Sequence, residues 1–285
     1  MGRGVVTQLQ VVAREWLTPH LVRLTFSAPD GGSLADFPMN DCADAYVKLE
    51  LPPRGVALDL PYDVEQVRAT RPAHEWPVRR TYTIRRFDPV GEHLTIDVVV
   101  HGDDGVAGPW ARDVIPHGPT SKVLVYGPGG GYSPDLDADH HLLVGDASAL
   151  PAIAVALERL PVGASADVVL AVEDSGDEIP LATEAAVRVR WIHAACAEAG
   201  VGVGEAIEAA VRALELPDGD VHAFVHGEAG WVKALRSHLR FDRGLTRDRL
   251  SISGYWRFGA NDEQWRAGKR AWNEAVEAEE QARAS

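Results

Sequence analysis

The feature that most constrains this chain is a change of rhythm at Gly127-Pro128-Gly129-Gly130-Gly131. Before it, short β-rich runs follow one another with turns between them, at residues 5–14, 21–27, 46–51, 79–86, 94–100 and 122–126. Leu94, Ile96, Val98 and Val100 alternate strictly, the period of a strand with one buried face. Residues 52–77 are rich in proline, arginine and acid without periodicity and read as a long excursion loop. Six strands with little helix predict a small antiparallel barrel or sandwich. After the glycines, apolar runs at 141–145, 166–172, 187–192, 221–225 and 250–255 alternate with helical stretches. That order predicts a parallel sheet covered on both faces. Ser148 is placed to cap the first of these helices, with Leu150, Ile153, Ala154 and Leu157 on one face. Residues 204–216 and 228–239 supply two more helices, and Asn261 with Gln264 fits a capping box that opens a last one over 261–283. Its apolar stripe is Trp265, Trp272 and Val276.

A chain of 285 residues suits two domains. The expected division is a barrel domain at 1–130, an α/β domain at 131–255, and a tail with a helix at 256–285. Hydrophobic content of 46% with 25% charged residues is that of an ordinary globular protein. A formal net charge of −14 argues against nucleic acid or an anionic membrane surface as the partner. The cysteines, Cys42 and Cys196, form no C-x-x-C pair, which argues strongly against a thiolate zinc site or an iron–sulfur cluster. Free thiols in a reducing compartment are expected rather than one long-range disulfide. The first twelve residues hold one arginine and no apolar h-region, and no run nears the roughly 20 apolar residues that span a bilayer. A cytoplasmic, monomeric protein is expected.

One stretch combines charge with planarity. Arg79-Arg80-Thr81-Tyr82-Thr83-Ile84-Arg85-Arg86, as a strand, sets Arg80, Tyr82 and Ile84 on one face. That face offers a guanidinium fork for phosphate or carboxylate beside a ring for stacking. Two readings stay open on these residues: a face for a charged planar cofactor such as a flavin dinucleotide, and a surface strand with solvated arginines. Residues 102–112 are glycine-rich and turn to helix formers at Trp110; their amides suit a pyrophosphate, or they form a long hairpin loop. Gly145-Asp146-Ala147-Ser148 and His226-Gly227-Glu228-Ala229-Gly230 each follow a strand of the second domain. Open α/β sheets bind ligands there, although any such fold also needs tight strand-to-helix turns.

Arg80-Thr81-Tyr82-Thr83 matches the R-x-Y-[ST] motif of ferredoxin-reductase-like flavoproteins. More narrowly, the chain from Val5 to Trp272 resembles the siderophore-interacting proteins, flavin-dependent ferric-siderophore reductases. The resemblance is carried in order by Leu17-Thr18-Pro19-His20, by His101-Gly102 with Gly105-Val106-Ala107-Gly108-Pro109-Trp110-Ala111, and by Gly145 to Ile153. It ends on Gly254-Tyr255-Trp256-Arg257 followed by Asp262-Glu263, Trp265 and Lys269.

The resemblance implies a six-stranded Greek-key FAD barrel, an α/β nucleotide domain, and a C-terminal helix returning to the barrel domain. It implies that Arg80 pairs with the FAD pyrophosphate, Tyr82 stacks on the isoalloxazine, and Thr83 bonds near its N5, with Thr81 beside them. It extends the cofactor contacts to Val98, Val100 and His101 and to the loop of Gly105, Ala107, Gly108, Trp110 and Ala111. Gly145, Asp146, Ser148, Gly227, Glu228 and Ala229 border NADH or NADPH, and Trp256 covers the flavin. Lys48, Arg257 and Lys269 are the cations for an anionic ferric siderophore. Three residues depart from the family's pattern: Gly108 for a serine, Ala147 for a glutamate, and Gly129 for a basic residue. No catalytic side chain and no metal ligand is expected, because a flavin exchanges one or two electrons and joins a hydride donor to ferric iron. Glu173-Asp174, after the second strand of the nucleotide domain, lean the donor towards NADH. The rival readings are a general flavin reductase or electron-transfer component, and a siderophore-binding flavoprotein without turnover.

Overall fold

Strict alternation in the first part of the chain needs a closed surface on which every inward side chain meets another. The computed structural model describes residues 6–196 and 202–284; Val5 and the side chain of Cys196 lie outside that description. The chain divides into two compact units, residues 1–133 and 134–285.

In the first unit, β1 (Val6–Thr18), β2 (Leu21–Ser27) and β3 (Tyr46–Leu51) are followed by a short helix α1 (Val64–Thr70). Then come β4 (Val78–Asp88), β5 (His93–Val99), the helix α2 (Ala107–Asp113) and β6 (Lys122–Gly129). The strands close into an antiparallel barrel in the order β1-β2-β5-β4-β3-β6. Setting β5 between β2 and β4 makes the connections Greek-key rather than up-and-down. The alternating residues supply the core: Leu24, Val47, Leu49, Ile96 and Val98 are all fully buried. β6 runs three residues further than its apolar stretch, through the first glycines, because Gly129 still pairs with Tyr46.

α1 lies in the stretch expected to be loop. Asp63 caps it by accepting the Glu65 N–H at 2.8 Å, and Val67 is its one buried residue. Two turns with a single anchor leave no periodicity for a sequence pattern to reveal.

In the second unit, the strands β7 (His140–Asp146), β8 (Ser165–Val172), β9 (Ala186–His193), β10 (Val221–Glu228) and β11 (Leu250–Trp256) form a parallel sheet. The order across it is β11-β10-β7-β8-β9. Helix α3 (Leu150–Glu158) follows β7, α4 (Val203–Arg212) follows β9, and α5 (Ala229–Ser237) follows β10. Leu142 and Val144 of β7 join one core with Ile207 of α4 and Leu235 of α5. The alternate face, at Gly145, meets Ile153 of α3. Every residue of α3 from Leu150 to Leu157 is buried, so it has no polar face. Its N-cap is Ala149, not Ser148, whose hydroxyl is drawn to Asp146 instead. β9 is the sheet's edge and departs from the apolar-throughout pattern, with Arg188, Val189 and Arg190 exposed.

The last helix, α6 (Asp262–Ala284), opens on the expected capping box. The Gln264 N–H donates to Asn261 Oδ1 at 2.9 Å, and the Asn261 N–H donates to Gln264 Oε1 at 3.0 Å. Trp265 and Val276 are buried, and Trp265 meets Trp272 edge-on. Within its own unit the helix is fastened by Glu280, a buried carboxylate that receives Arg236 at 2.7 Å and Arg247 at 3.1 Å.

Two buried imidazoles tie the stability of this unit to pH. His141 is fully buried and neither ring nitrogen finds a partner, so burial lowers its pKa to about 4. His226, stacked on Phe224 at 3.9 Å, is lowered to about 3 by burial and by the charge of Lys269. A base held neutral in the fold leaves the unfolded chain binding more protons as the pH falls. Stability is then complete above about pH 6.5 and lost towards pH 4, at about 1.4 kcal/mol per pH unit for each such group. Urea unfolding at pH 7 and pH 5 should show His141→Leu losing about 1–2 kcal/mol less than the native chain over that interval. Equal losses would mean that the ring titrates freely.

Candidate functional site

Beside the arginine-rich strand the barrel's hydrogen-bonded ladder is interrupted. The ladder between β4 and β5 runs from Asp88↔His93 back to Ile84↔Ile96, with a register shift between Ile84 and Arg86. Towards its start β4 pairs with β3, from Thr83↔Tyr46 to Val78↔Leu51. The corresponding end of β5 pairs with β2, at Asp97↔Arg23, Val98↔Val22 and Val99↔Leu21. Residues 79–83 and 97–100 thus flank a gap in the hydrogen-bonded wall.

Registration sorts the side chains along β4. Arg80 and Tyr82 stand in register with Leu49 and Val47, whose side chains fill the core, and Ile84 is in the core itself. Arg80 and Tyr82 are half-buried; Tyr82 packs against the core, and Arg80 donates to the Arg79 carbonyl at 2.9 Å. Thr83 is buried and Thr81 is exposed on the other register face. That outer face also carries a cluster sequence reasoning did not find. Glu50 is buried and receives Arg79 Nε at 2.6 Å, while the Arg79 guanidinium lies 3.8 Å from the centre of the Tyr126 ring. Of two adjacent arginines, Arg79 is locked to Glu50 and Tyr126 on the outer face, while Arg80 stands on the opposite register face.

The glycine-rich loop leaves β5 at that gap. Gly102 (φ +60°) and Gly105 (φ +79°) adopt left-handed backbone, and a Cβ at either would meet nothing within 4 Å. Val106 stands at the N-cap of α2 and makes no side-chain cap hydrogen bond. Arg112 reaches back to Asp103 at 2.6 Å, closing the loop, and the Trp110 indole donates to the Thr120 carbonyl at 3.1 Å. His101 is exposed. Val98, Val100, Ala107 and Ala111 direct their side chains into the barrel core, so they form the floor. The Val100 N–H is also taken, by the His20 carbonyl.

In the second unit, strand order reverses between β7 and β10, and at that switch point the carboxyl ends of an open sheet leave a crevice. Asp146 ends β7 inside it. One carboxylate oxygen accepts the N–H and hydroxyl of Ser148; the other accepts the Glu228 N–H at 2.9 Å and the Trp256 indole N–H at 2.8 Å. Burial raises the Asp146 pKa, and these donors oppose the rise. One carboxylate therefore joins the ends of β7, β10 and β11. Glu228 continues the work by capping α5 through the Gly230 N–H at 2.6 Å and accepting the Phe258 N–H at 3.2 Å. Ala229 is buried beneath. The glycines here are packing glycines: a Cβ on Gly145 would lie 2.7 Å from that of Ala149, and one on Gly227 would strike Trp231 and Asp146.

The basic candidates sit on both units. Lys48 lies 5.6 Å from the Tyr46 ring centre on the first. On the second, Lys269 donates to Ser253 Oγ at 3.1 Å beside Trp265, and Arg257 is exposed after β11. No helix among the described residues is long and apolar enough to cross a membrane.

Comparison with known proteins agrees with this division. Residues 10–132 match the model of the siderophore-interacting FAD-binding domain, and residues 138–259 match that of the siderophore-interacting protein. The ferric vibriobactin reductase ViuB of Vibrio cholerae is 32% identical over 260 residues, covering 90% of this chain and 91% of that one. The siderophore-interacting protein SipS from Aeromonas hydrophila superposes with a TM-score of 0.77 at 29% identity, over 95% of this chain and 98% of that one. Phthalate dioxygenase reductase, at 13% identity and a TM-score of 0.57 over 90% of this chain and 70% of that one, shares the ferredoxin-reductase-like fold alone.

The Asp146 junction makes a direct prediction. Asp146→Ala removes both acceptors and leaves the Glu228 and Trp256 donors without their partner, at a cost of about 2–4 kcal/mol. The indole contribution, isolated as the difference from Trp256→Phe, should shift its emission to longer wavelength in the Asp146→Ala background. An unchanged emission would show that the carboxylate does not hold Trp256.

Proposed function

The chain belongs to the siderophore-interacting protein family, and from that membership we propose that it is a ferric-siderophore reductase passing electrons from NAD(P)H through FAD to chelated Fe(III). The observation that carries this reading is the gap in the wall between β4 and β5, with Arg80 and Tyr82 on one side and the open glycine loop on the other. The donor set fits FAD. A guanidinium and the backbone N–H groups of a glycine loop suit a pyrophosphate, and a half-buried phenol ring suits a flat heterocycle.

In this reading, Arg80 and the amides at residues 105–108 hold the phosphates and Tyr82 supplies a stacking face, while Thr83 is buried on the opposite face of β4. Gly108 in place of a hydroxyl residue leaves this task to the backbone. Bound FAD would supply the exchange between a two-electron hydride donor and a one-electron ferric acceptor. Val98, Val100 and Ala111 keep water from the floor beneath. The switch-point crevice at Asp146 and Glu228 receives the nicotinamide dinucleotide, and Trp256, fixed by Asp146, shapes its mouth. Lys48, Arg257 and Lys269 offer positive charge to an anionic ferric siderophore against a chain whose net charge is −14. Reduction weakens the hold of hard oxygen ligands on the iron and releases it as Fe(II). A reducing cytoplasm, expected from the cysteine usage, would preserve that product.

An anaerobic titration tests the proposal. The FAD-loaded protein should be bleached by NADH or NADPH, and ferric siderophore should restore its colour faster than buffer does. Restoration at the buffer rate would favour a general flavin reductase, and no bleaching would favour a binding protein without turnover. Tyr82→Ala should lower the FAD-to-protein ratio of purified material while Tyr82→Phe preserves it; an unchanged ratio in both would remove the stacking role.

A further inference from the structure

We propose that the lip formed by the carboxyl ends of β8 and β9 selects NADH over NADPH, with Glu173 and Glu178 as the deciding residues. This rests on the reading that a nicotinamide dinucleotide enters the crevice beside β7. In a sheet ordered β9-β8-β7-β10-β11, the strands β7, β8 and β9 form the first mononucleotide half, and the residue ending the second strand meets the adenosine ribose.

The chain leaves β8 at Val172 and meets no lysine or arginine before Arg188. Its acids are not equivalent. Asp174 is consumed by its own turn, accepting the Gly176 N–H at 2.7 Å. Glu173 is exposed, and its backbone carbonyl accepts the Ala195 N–H at 2.9 Å, which fastens this lip to the segment after β9. Glu178 pairs with Nε2 of His193, the last residue of β9, at 2.8 Å. The arginines of β9 stand lower in the sheet. Arg188 is in register with Asp167 and clamped by it at 2.7 Å, and Arg190 is in register with Val169. Val169 is three residues short of the end of β8, roughly 10 Å at strand rise.

A 2′-phosphate placed at this lip meets the Glu173 carboxylate and an imidazole already engaged by Glu178. A free 2′-hydroxyl can instead donate to a carboxylate. Like charges set side by side discriminate by repulsion, and partial exposure moderates the effect to about tenfold or somewhat more. Glu178 acts twice, by its charge and by withholding His193 from a phosphate.

The test measures binding as well as turnover on the FAD-loaded protein. Calorimetric affinities for NAD+ and NADP+ are compared with anaerobic rates of flavin reduction by NADH and NADPH, in the native chain, Glu173→Gln, Glu178→Gln and the double variant. The native chain should favour the unphosphorylated nucleotide by about tenfold or more in both measurements. The substitutions should raise affinity for NADP+ and narrow that ratio, most in the double variant. Parity, a preference for NADP+, or a preference that the double variant leaves intact would overturn the assignment. Tighter binding of NAD+ than of NADP+ with no flavin reduction would instead sink the reductase reading and leave this one standing.

Discussion

The barrel depends on where one hydrogen-bonded ladder stops. A closed sheet pairs every backbone group with a neighbour, and that completeness protects it from edge-to-edge association. Here β4 and β5 part after Ile84 and Ile96, and each keeps only its other partner, β3 or β2. Backbone groups released in this way need water or a ligand, since unpaired buried amides are costly. Val98, Val100, Ala107 and Ala111 keep the core apolar where the ladder stops, and Arg80 and Tyr82 lie on the strand segment that has lost its β5 partner.

Empty space separates two kinds of glycine in this chain. Around Gly102 and Gly105 nothing lies within reach of an added methyl group, whereas Gly145 and Gly227 are crowded by Ala149, Ile153, Trp231 and Asp146. The first kind leaves room for a ligand, and the second lets helix and strand approach. In the second unit the polar work passes to Asp146, whose two oxygens collect donors from three segments. Isolating such a carboxylate from water costs several kcal/mol, and each charge-assisted donor returns about 1.5–3 kcal/mol, so the arrangement holds only with the set complete.

Much of this was legible in the sequence. The period-two pattern of β5, the change of rhythm at the glycines and the Asn261–Gln264 box each encode a local rule that the fold obeys. The motif around Arg80 was visible as a pattern, but composition could not separate Arg79 from Arg80. That distinction comes from register, because Glu50 stands opposite Arg79 while Leu49 stands opposite Arg80. Helix α1 escaped because two turns show no period. Ser148 has the residue type of a cap, but the Asp146 carboxylate two residues before it takes its hydroxyl, and Ala149 becomes the N-cap. The switch-point glycines resembled ligand glycines, since closeness to a helix and closeness to a phosphate leave the same trace in a sequence.

The edge strand β9 has a consequence for how copies of the chain meet. Arg188 and Arg190 flank the exposed Val189 at the rim of the sheet. An antiparallel encounter of two such edges centred on Val189 would bring Arg188 of one copy opposite Arg190 of the other. Like charges facing across a ladder repel, and charged edge residues are a common guard against added strands. Asp167 offsets part of the Arg188 charge, so the guard rests as much on two long hydrated side chains as on repulsion, and it discourages the sheet from growing past its fifth strand.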